Sequence, residues 1–299
     1  MTGVDALSLS STDIVKRYGY YDEEFVLSYS HKNGPYNMTS HMHDQYEVYY
    51  LLKGQRSYFI KDRVYLVEQG DLVFVPKYVL HRTQFAGTLQ HQRIVLNFTD
   101  SFLERSWIKG SKLDLLKPFQ GDNPTLRLKE EDRKYTESLF FRAIAEMKNK
   151  SDGYEICVKA ISVELLVHLA RCIDKYVEVV APVDSPLHRK IAEISNYIET
   201  HYAEPLTLTH LSQSFYLSPY YLSRVFKEIS GFSFIEYLNH NRIKEAQRLL
   251  RESNWKVLRI AESVGYDSIA YFGRVFKETV HMSPLQYRRM HSGEGIERT

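Results

Sequence analysis

Cysteine is scarce in this chain of 299 residues, which has two, Cys157 and Cys172. Both fall in one stretch of helical periodicity, where their separation of 15 residues (172 − 157) spans about 22 Å at ~1.5 Å per residue. A disulfide needs Cα atoms within ~7 Å, so a bridge inside that helix is excluded, and with it a redox switch made of this pair. Long apolar runs are missing too. No stretch approaches the ~18 residues of a membrane-spanning helix, and the opening MTGVDALSLSSTDIVKRYGYYDEE lacks the basic-then-apolar order of a secretory leader. The expectation is a reduced, cytoplasmic protein with no membrane partner. Net charge is small as well, with 39 Lys and Arg against 37 Asp and Glu. The whole molecule therefore has no field that would draw it to a polyanion, and any such surface must be local. No tract is biased enough in composition to suggest disorder.

What is present is an ordinary globular balance, 43% hydrophobic and 25% charged, with a high count of 23 Tyr and 15 Phe. The length suits two domains at ~100 to 200 residues each. Over residues 25–98, short β-rich runs (FVLSYS, EVYYLL, SYFI, VYLV, DLVFV, QRIVLNF) alternate with turns such as LLKGQ, IKDR and VEQGD. That rhythm predicts a small antiparallel barrel or sandwich. From about residue 130 the period changes to that of a helix. Leu139, Phe140, Ala143, Ile144 and Met147 form one apolar stripe, and Ile156, Ile161, Leu165, Leu166 and Leu169 another, with Ser151-Asp-Gly153 between them. A helical hairpin follows. VEVVAPVDSPL, with Pro182 and Pro186, has no period and reads as a linker. Everything after it reads as helix. The divisions are an N-terminal arm (1–24), a barrel (25–128), a hairpin (129–176), a linker (177–187), an all-helical domain (188–292) and a tail (293–299).

The helical domain contains a repeat. Leu222-Ser-Arg-Val-Phe-Lys-Glu228 recurs as Phe272-Gly-Arg-Val-Phe-Lys-Glu278, an offset of 50 (274 − 224). Each copy follows a short amphipathic segment, residues 207–215 and 257–264, and a tight turn, which makes two helix-turn-helix units. Ser218-Pro219, Asp267-Ser268 and Ser283-Pro284 supply helix-start signals, and Gly231 suits a helix end. Leu222, Val225 and Phe226, with Phe272, Val275 and Phe276, belong to the inner face. Tyr220, Ser223, Arg224 and Lys227 project elsewhere, as do Ala270, Tyr271, Gly273, Arg274 and Lys277. The early residues of such a second helix are the ones a DNA major groove receives. Arginine can read guanine through a bidentate fork while lysine neutralises phosphate. From residue 187 onward, 15 Lys and Arg face 12 Asp and Glu, a balance that permits DNA binding without requiring it.

The residues LSQSFYLSPYYLSRVFKEISGFSFIEYLNHNRIKEAQRLL and IAESVGYDSIAYFGRVFKETVHMSPLQYRR resemble the AraC/XylS transcription regulators over 191–289. The resemblance implies two helix-turn-helix units joined by a long helix, with both second helices entering successive major-groove segments. Carried over by position, Tyr220, Ser223 and Arg224 would face DNA from the first unit, and Ile269, Ala270, Tyr271, Gly273 and Arg274 from the second. Two departures stand out. Gly273 occupies a usual serine position, and His281 occupies the counterpart of Gly231, where glycine is usual.

In the front region, His41-Met-His43-Asp-Gln-Tyr-Glu47 precedes Gly54, and Gly70-Asp-Leu-Val-Phe-Val-Pro76 leads to His81. On a strand, offsets of two and six place His41, His43 and Glu47 on one face. His81 can add a fourth donor, a set suited to a divalent transition metal. These spacings resemble the two motifs of the cupin barrel, with Tyr78 at a common glycine position and Phe85 at a common asparagine position. The fold expected is α+β: an antiparallel cupin-like barrel with a helical hairpin, then the all-α DNA-binding domain. Tyr49, Tyr58, Tyr65 and Phe74 lie on barrel strands, where aromatic faces beside polar groups suit a sugar. His41, His43, Glu47, Tyr49, Tyr58 and His81 are the expected effector pocket.

The reading is a non-enzymatic, ligand-responsive regulator that requires no cofactor. Its partners are promoter DNA, a small-molecule effector such as a sugar, and RNA polymerase if it activates, with the hairpin as dimer contact. In some members of the family the N-terminal arm closes over the pocket. The alternative is a metal-dependent cupin enzyme or metal sensor fused to a DNA-binding module.

Overall fold

The computed structural model describes residues 14–18, 24–35, 42–104, 112–175 and 180–291. The chain divides into two compact units, the first running to Val183 apart from Lys61–Arg63, and the second comprising Lys61–Arg63 and the chain from Asp184.

In the first unit the strands are β1 (Ile14–Tyr18), β2 (Phe25–Asn33), β3 (Tyr46–Lys53), β4 (Gln55–Ile60), β5 (Arg63–Glu68), β6 (Asp71–Val75), β7 (His81–Phe85), β8 (Gln90–Phe98) and β9 (Thr125–Arg127). They form a six-stranded sheet, β1-β2-β8-β3-β6-β9, and a three-stranded sheet, β5-β4-β7. Part of the expected arm is thus a strand, β1, paired antiparallel with β2; residues 1–13 and 19–23 lie outside the described residues. Gly54 makes the turn from β3 to β4 at φ +99°, where a Cβ would stand 2.6 Å from the Gln90 carbonyl. Only glycine fits that approach.

Period-two alternation sorts β3 into two faces. Tyr49 and Leu51 join Tyr58, Ile60, Val73 and Val95 in an inner cluster between the sheets. Val48 and Tyr50 point the other way, into a larger core shared with the helices. Those helices are α1 (Asp100–Glu104), α2 (Lys117–Gln120), α3 (Glu130–Asn149) and α4 (Tyr154–Lys175). The hairpin of α3 and α4 buries Leu139, Phe140, Leu165 and Leu169 against the outer face of the sheet. Tyr50 stacks on Phe140 at 5.6 Å and donates to Glu137 Oε1 at 2.6 Å. The hairpin therefore shares one core with the barrel.

The segment read as linker behaves differently along its length. Val180 N–H donates to Thr125 Oγ1 at 3.1 Å, Val183 N–H donates to the Val64 carbonyl at 2.7 Å, and Pro182 bridges Tyr65. Residues 180–183 are edge structure of the barrel, held through their backbone groups, while Ser185 and Pro186 start the first helix of the second unit.

The second unit comprises α5 (Pro186–His201), α6 (Leu208–Ser214), α7 (Pro219–Ser230), α8 (Phe234–Glu252), α9 (Val257–Ser263), α10 (Ile269–Val280) and α11 (Pro284–His291). Ser218 and Ser268 cap α7 and α10 by accepting from the Tyr221 and Tyr271 backbone N–H groups. Ser283 and Gln286 exchange side-chain and backbone bonds before α11. Within this unit the long helix α8 joins the two helix-turn-helix pairs and carries Arg242, only 9% exposed, whose guanidinium donates to the Tyr202 and Glu204 carbonyls at 2.8 and 2.9 Å. The turn after α5 is thereby pinned to the joining helix.

At the end of α10, His281 takes the left-handed conformation, φ +62°, that Gly231 takes at the end of α7 with φ +85°. An L-residue pays ~1 to 2 kcal/mol there. Replacing His281 with glycine is expected to stabilise the helical unit by about 1 kcal/mol, read as a rise in thermal midpoint of ~4 to 8 °C. No rise would mean that the imidazole makes a compensating contact.

Candidate functional site

The inner face of the barrel converges on Glu47, whose side chain is 6% exposed. Register explains part of this. β3 pairs with β8 so that Glu47 lies opposite Asn97, and Asn97 Nδ2 donates to Glu47 Oε2 at 3.2 Å. From the other sheet, Tyr58 donates to Glu47 Oε1 at 3.0 Å. Two imidazoles complete the group, with His43 Nε2 at 3.3 Å and His81 Nε2 at 3.8 Å from Glu47 Oε2. Each imidazole is also fixed through its other nitrogen. His43 Nδ1 lies 2.8 Å from the Gln45 carbonyl and His81 Nδ1 2.8 Å from that of Val79. The carbonyls at Nδ1 orient both rings so that Nε2 faces the carboxylate, and a proton on His43 Nε2 makes the hydrogen bond to Glu47. Burial pulls the His43 pKa down, but the hydrogen bond and charge of Glu47 outweigh it and leave it raised above the ordinary 6.5. Burial and the charge of Glu47 push the Tyr58 hydroxyl well above 10, so it remains a neutral donor.

The route by which His43 arrives differs from the sequence expectation. β3 begins only at Tyr46, so His43 reaches Glu47 from the loop before the strand and not from a shared strand face. His41 lies outside the described residues. The loop is held by Tyr78, whose N–H donates to the His43 carbonyl at 2.9 Å. Tyr78 stands at φ +58°, the conformation a glycine would adopt without strain, which accounts for glycine being common at this place. Tyr49 and Tyr58 are inside the barrel, 1% exposed and packed edge to face at 5.2 Å. Tyr65 shares that cluster, whereas Phe74 points outward onto Phe119. At the far end of β3, Lys53, Gln55, Glu68, Gln69, Thr88 and Gln90 line an open polar cavity of about 710 Å³. No motif marks those residues in the sequence. Asn97 was equally invisible, because only the pairing of distant strands brings it to Glu47.

In the helical unit, Tyr220, Ser223, Arg224 and Lys227 on α7 are all exposed, as are Ile269, Ala270, Tyr271, Arg274 and Lys277 on α10. Leu222, Val225 and Phe226, and their counterparts Phe272, Val275 and Phe276, are buried. The repeat extends to an arrangement of side chains. Arg224 lies over the Tyr221 ring at 5.6 Å, and Arg274 over the Tyr271 ring at 5.2 Å. The offset of 50 (271 − 221) makes Tyr221 the partner of Tyr271, the one signal in the sequence that marks it. The two turns are not alike. The first places Tyr216 at φ +56°, 95% exposed. The second uses Gly265 at φ +90°, where a Cβ would meet the Ala203 carbonyl at 2.8 Å. Tyr266 and Tyr271 are braced by Asn239 of α8, through bonds of 3.0 and 3.4 Å.

A barrel with a buried polar cluster, followed by two capped helix-turn-helix units with matching exposed faces, defines a DNA-binding regulator with its own ligand-binding domain. Residues 25–166 match the AraC-like ligand binding domain, and residues 211–290 match the helix-turn-helix domain family. The chain belongs to the AraC family of transcription regulators. The uncharacterized HTH-type transcriptional regulator YfiF of Bacillus subtilis is 27% identical over 289 residues, 93% of this chain and 87% of that protein. The uncharacterized HTH-type transcriptional regulator YijO of Escherichia coli is 38% identical over 105 residues, 35% of this chain. The chain spans only 37% of that relative's length. Among solved structures, the C-terminal domain of AraT, a response regulator from Geobacillus stearothermophilus, aligns at 38% identity. That alignment covers 38% of this chain and 92% of that one, with a TM-score of 0.34. The relatives are named as transcription regulators, in keeping with a protein that is not an enzyme. Among the described residues no helix is long and apolar enough to cross a membrane.

Proposed function

We propose that the protein binds promoter DNA through α7 and α10 and adjusts that binding to a small polar effector, a carbohydrate by preference, held around Glu47. The observation that carries this reading is the buried Glu47 carboxylate, met by a phenol, an amide and two imidazoles beside the faces of Tyr49 and Tyr58. Alternating donors and acceptors next to aromatic faces are what a sugar requires. Because these groups satisfy one another, an effector has to exchange its hydroxyls for their mutual bonds. It acts by preferring one arrangement of the chain over another, since a ligand with equal affinity for both shifts nothing. Self-association through α3 and α4, on whose outer side Phe141 and Ile156 are exposed, and contact with RNA polymerase in an activating role complete the proposal.

The donor set supports a second reading, a divalent transition metal at the same cluster. His43 Nε2, His81 Nε2 and Glu47 would hold it, and the carbonyl-anchored Nδ1 atoms fit the usual support of metal-binding histidines. A bound ion there would supply a Lewis-acidic site for an effector's oxygen atoms.

A thermal-shift screen of sugars and divalent metals separates the readings. A ligand at about 100 times its Kd raises stability by ~2.7 kcal/mol. The expected result is a sugar that stabilises the wild type, with or without chelator, and fails to stabilise Glu47→Gln. Metal hits alone favour the second reading. A sugar that stabilises Glu47→Gln equally, and loses its effect in Gln90→Ala, moves the effector site to the polar cavity at the other end of β3.

A further inference from the structure

The hairpin carries a second group of donor atoms, separate from the barrel's. Asp132 lies in the first turn of α3, and His168 and Cys172 lie one turn apart near the end of α4. The helices run antiparallel, so the open end of the hairpin brings together residues 36 positions apart (168 − 132), with one donor atom from each within 4.8 Å of the others. Cys172 Sγ stands 3.6 Å from His168 Nε2. A tetrahedral zinc ion with Zn–S of ~2.3 Å and Zn–N of ~2.0 Å holds those two atoms ~3.5 Å apart. The pair is already at the spacing of a shared ion.

The imidazole is also held in place. Tyr135 packs edge-on against its ring at 4.8 Å. Asp132 is bonded to Lys175 Nζ at 2.8 Å, and the lysine side of that pair is 57% exposed. The Asp132 side chain is 15% exposed, and an arriving cation would displace the ammonium, which the exposed lysine stem can carry into water.

We propose that Asp132, His168 and Cys172 bind zinc, or a comparably thiophilic divalent ion, and so clamp the start of α3 to the end of α4. Binding releases the Cys172 thiol proton to solvent, and water fills the fourth position. The clamp closes the end of the hairpin opposite its Ser151–Gly153 turn, on the last turns of α4 before the chain runs on toward Val180. It stands independently of the effector reading.

Cobalt(II) titration of the metal-free full-length chain tests this, because a cobalt–thiolate bond gives a charge-transfer band in the near ultraviolet. The expected result is a band that saturates with one equivalent and is bleached by excess zinc. It should persist in Cys157→Ser and vanish in Cys172→Ser. Asp132→Asn, at a partly exposed position that does not threaten the helix, should weaken cobalt binding by ~10-fold or more, which keeps the test decisive should Cys172→Ser fold poorly. Absence of the band, its persistence in Cys172→Ser, its loss in Cys157→Ser, or unchanged affinity in Asp132→Asn overturns the proposal. Glu47 and its partners contain no thiolate, so Glu47→Gln leaves the band untouched and the two sites fail or succeed separately.

Discussion

Replacing Arg242 with alanine is expected to destabilise the helical unit by about 3 to 5 kcal/mol. The guanidinium is nearly buried and makes charge-assisted bonds to the Tyr202 and Glu204 carbonyls, while lying over the Tyr266 ring at 5.3 Å. Bonds to a charged donor contribute ~1.5 to 3 kcal/mol each. Their loss leaves two carbonyls of the turn after α5 in search of water. The same turn packs where Gly265 passes, since a Cβ there would meet both the Ala203 carbonyl and the Arg242 guanidinium. Arg242 thus organises the joining helix, the turn after α5 and the turn of the second unit together. A domain with ~5 to 15 kcal/mol of total stability has little left after such a loss. Thermal unfolding of the variant should begin ~12 °C or more below the wild type, with DNA affinity falling only as the unit unfolds. Arg242→Lys keeps the charge but cannot span both carbonyls, and should fall between the two. An alanine variant as stable as the wild type would show that water replaces the guanidinium without penalty.

The parts of this molecule that were legible in its sequence are those set by local pattern. The β-rich run of β3 and the Ser-Pro starts of α7 and α11 are local. So is the recurrence of Arg-Val-Phe-Lys-Glu, which fixes a buried and an exposed side of each second helix without reference to anything distant. What stayed hidden depends on pairing across the chain. Asn97 meets Glu47 because β8 inserts between β2 and β3. Val180 to Val183 join the barrel through backbone groups, which carry no residue preference to read. His43 was assigned to a strand face because its spacing from Glu47 fits a strand, yet the bond from Tyr78 holds it in a loop that delivers the same ring to the same carboxylate. Spacing identified the participants and not the path. Asp132, His168 and Cys172 are similarly scattered until α3 and α4 fold back on each other.

Arg224→Ala and Arg274→Ala are each expected to weaken specific promoter binding by ~1 to 3 kcal/mol, about 5- to 150-fold, without disturbing the fold. Both arginines are exposed, and among the described residues Arg224 is engaged by the edge of Glu228, at 3.4 Å, and by the Tyr221 ring. Such an i, i+4 pair is weak, so the guanidinium can leave Glu228 for a base edge at small cost, while the tyrosine face keeps it oriented. The loss should be greater at Arg224. Tyr220 and Ser223 flank it with side chains able to reach DNA, whereas Ala270 and Gly273 flank Arg274 with almost none. If each arginine reads a base, its removal relaxes sequence preference at one position of the site. Lys227→Ala and Lys277→Ala, acting on phosphate, should instead weaken binding to all sequences alike and reduce the salt slope by ~1 each. Titrations of a specific and a scrambled duplex at several salt concentrations distinguish these outcomes. Unchanged binding by both arginine variants, with their helical content intact, would remove α7 and α10 as the reading helices.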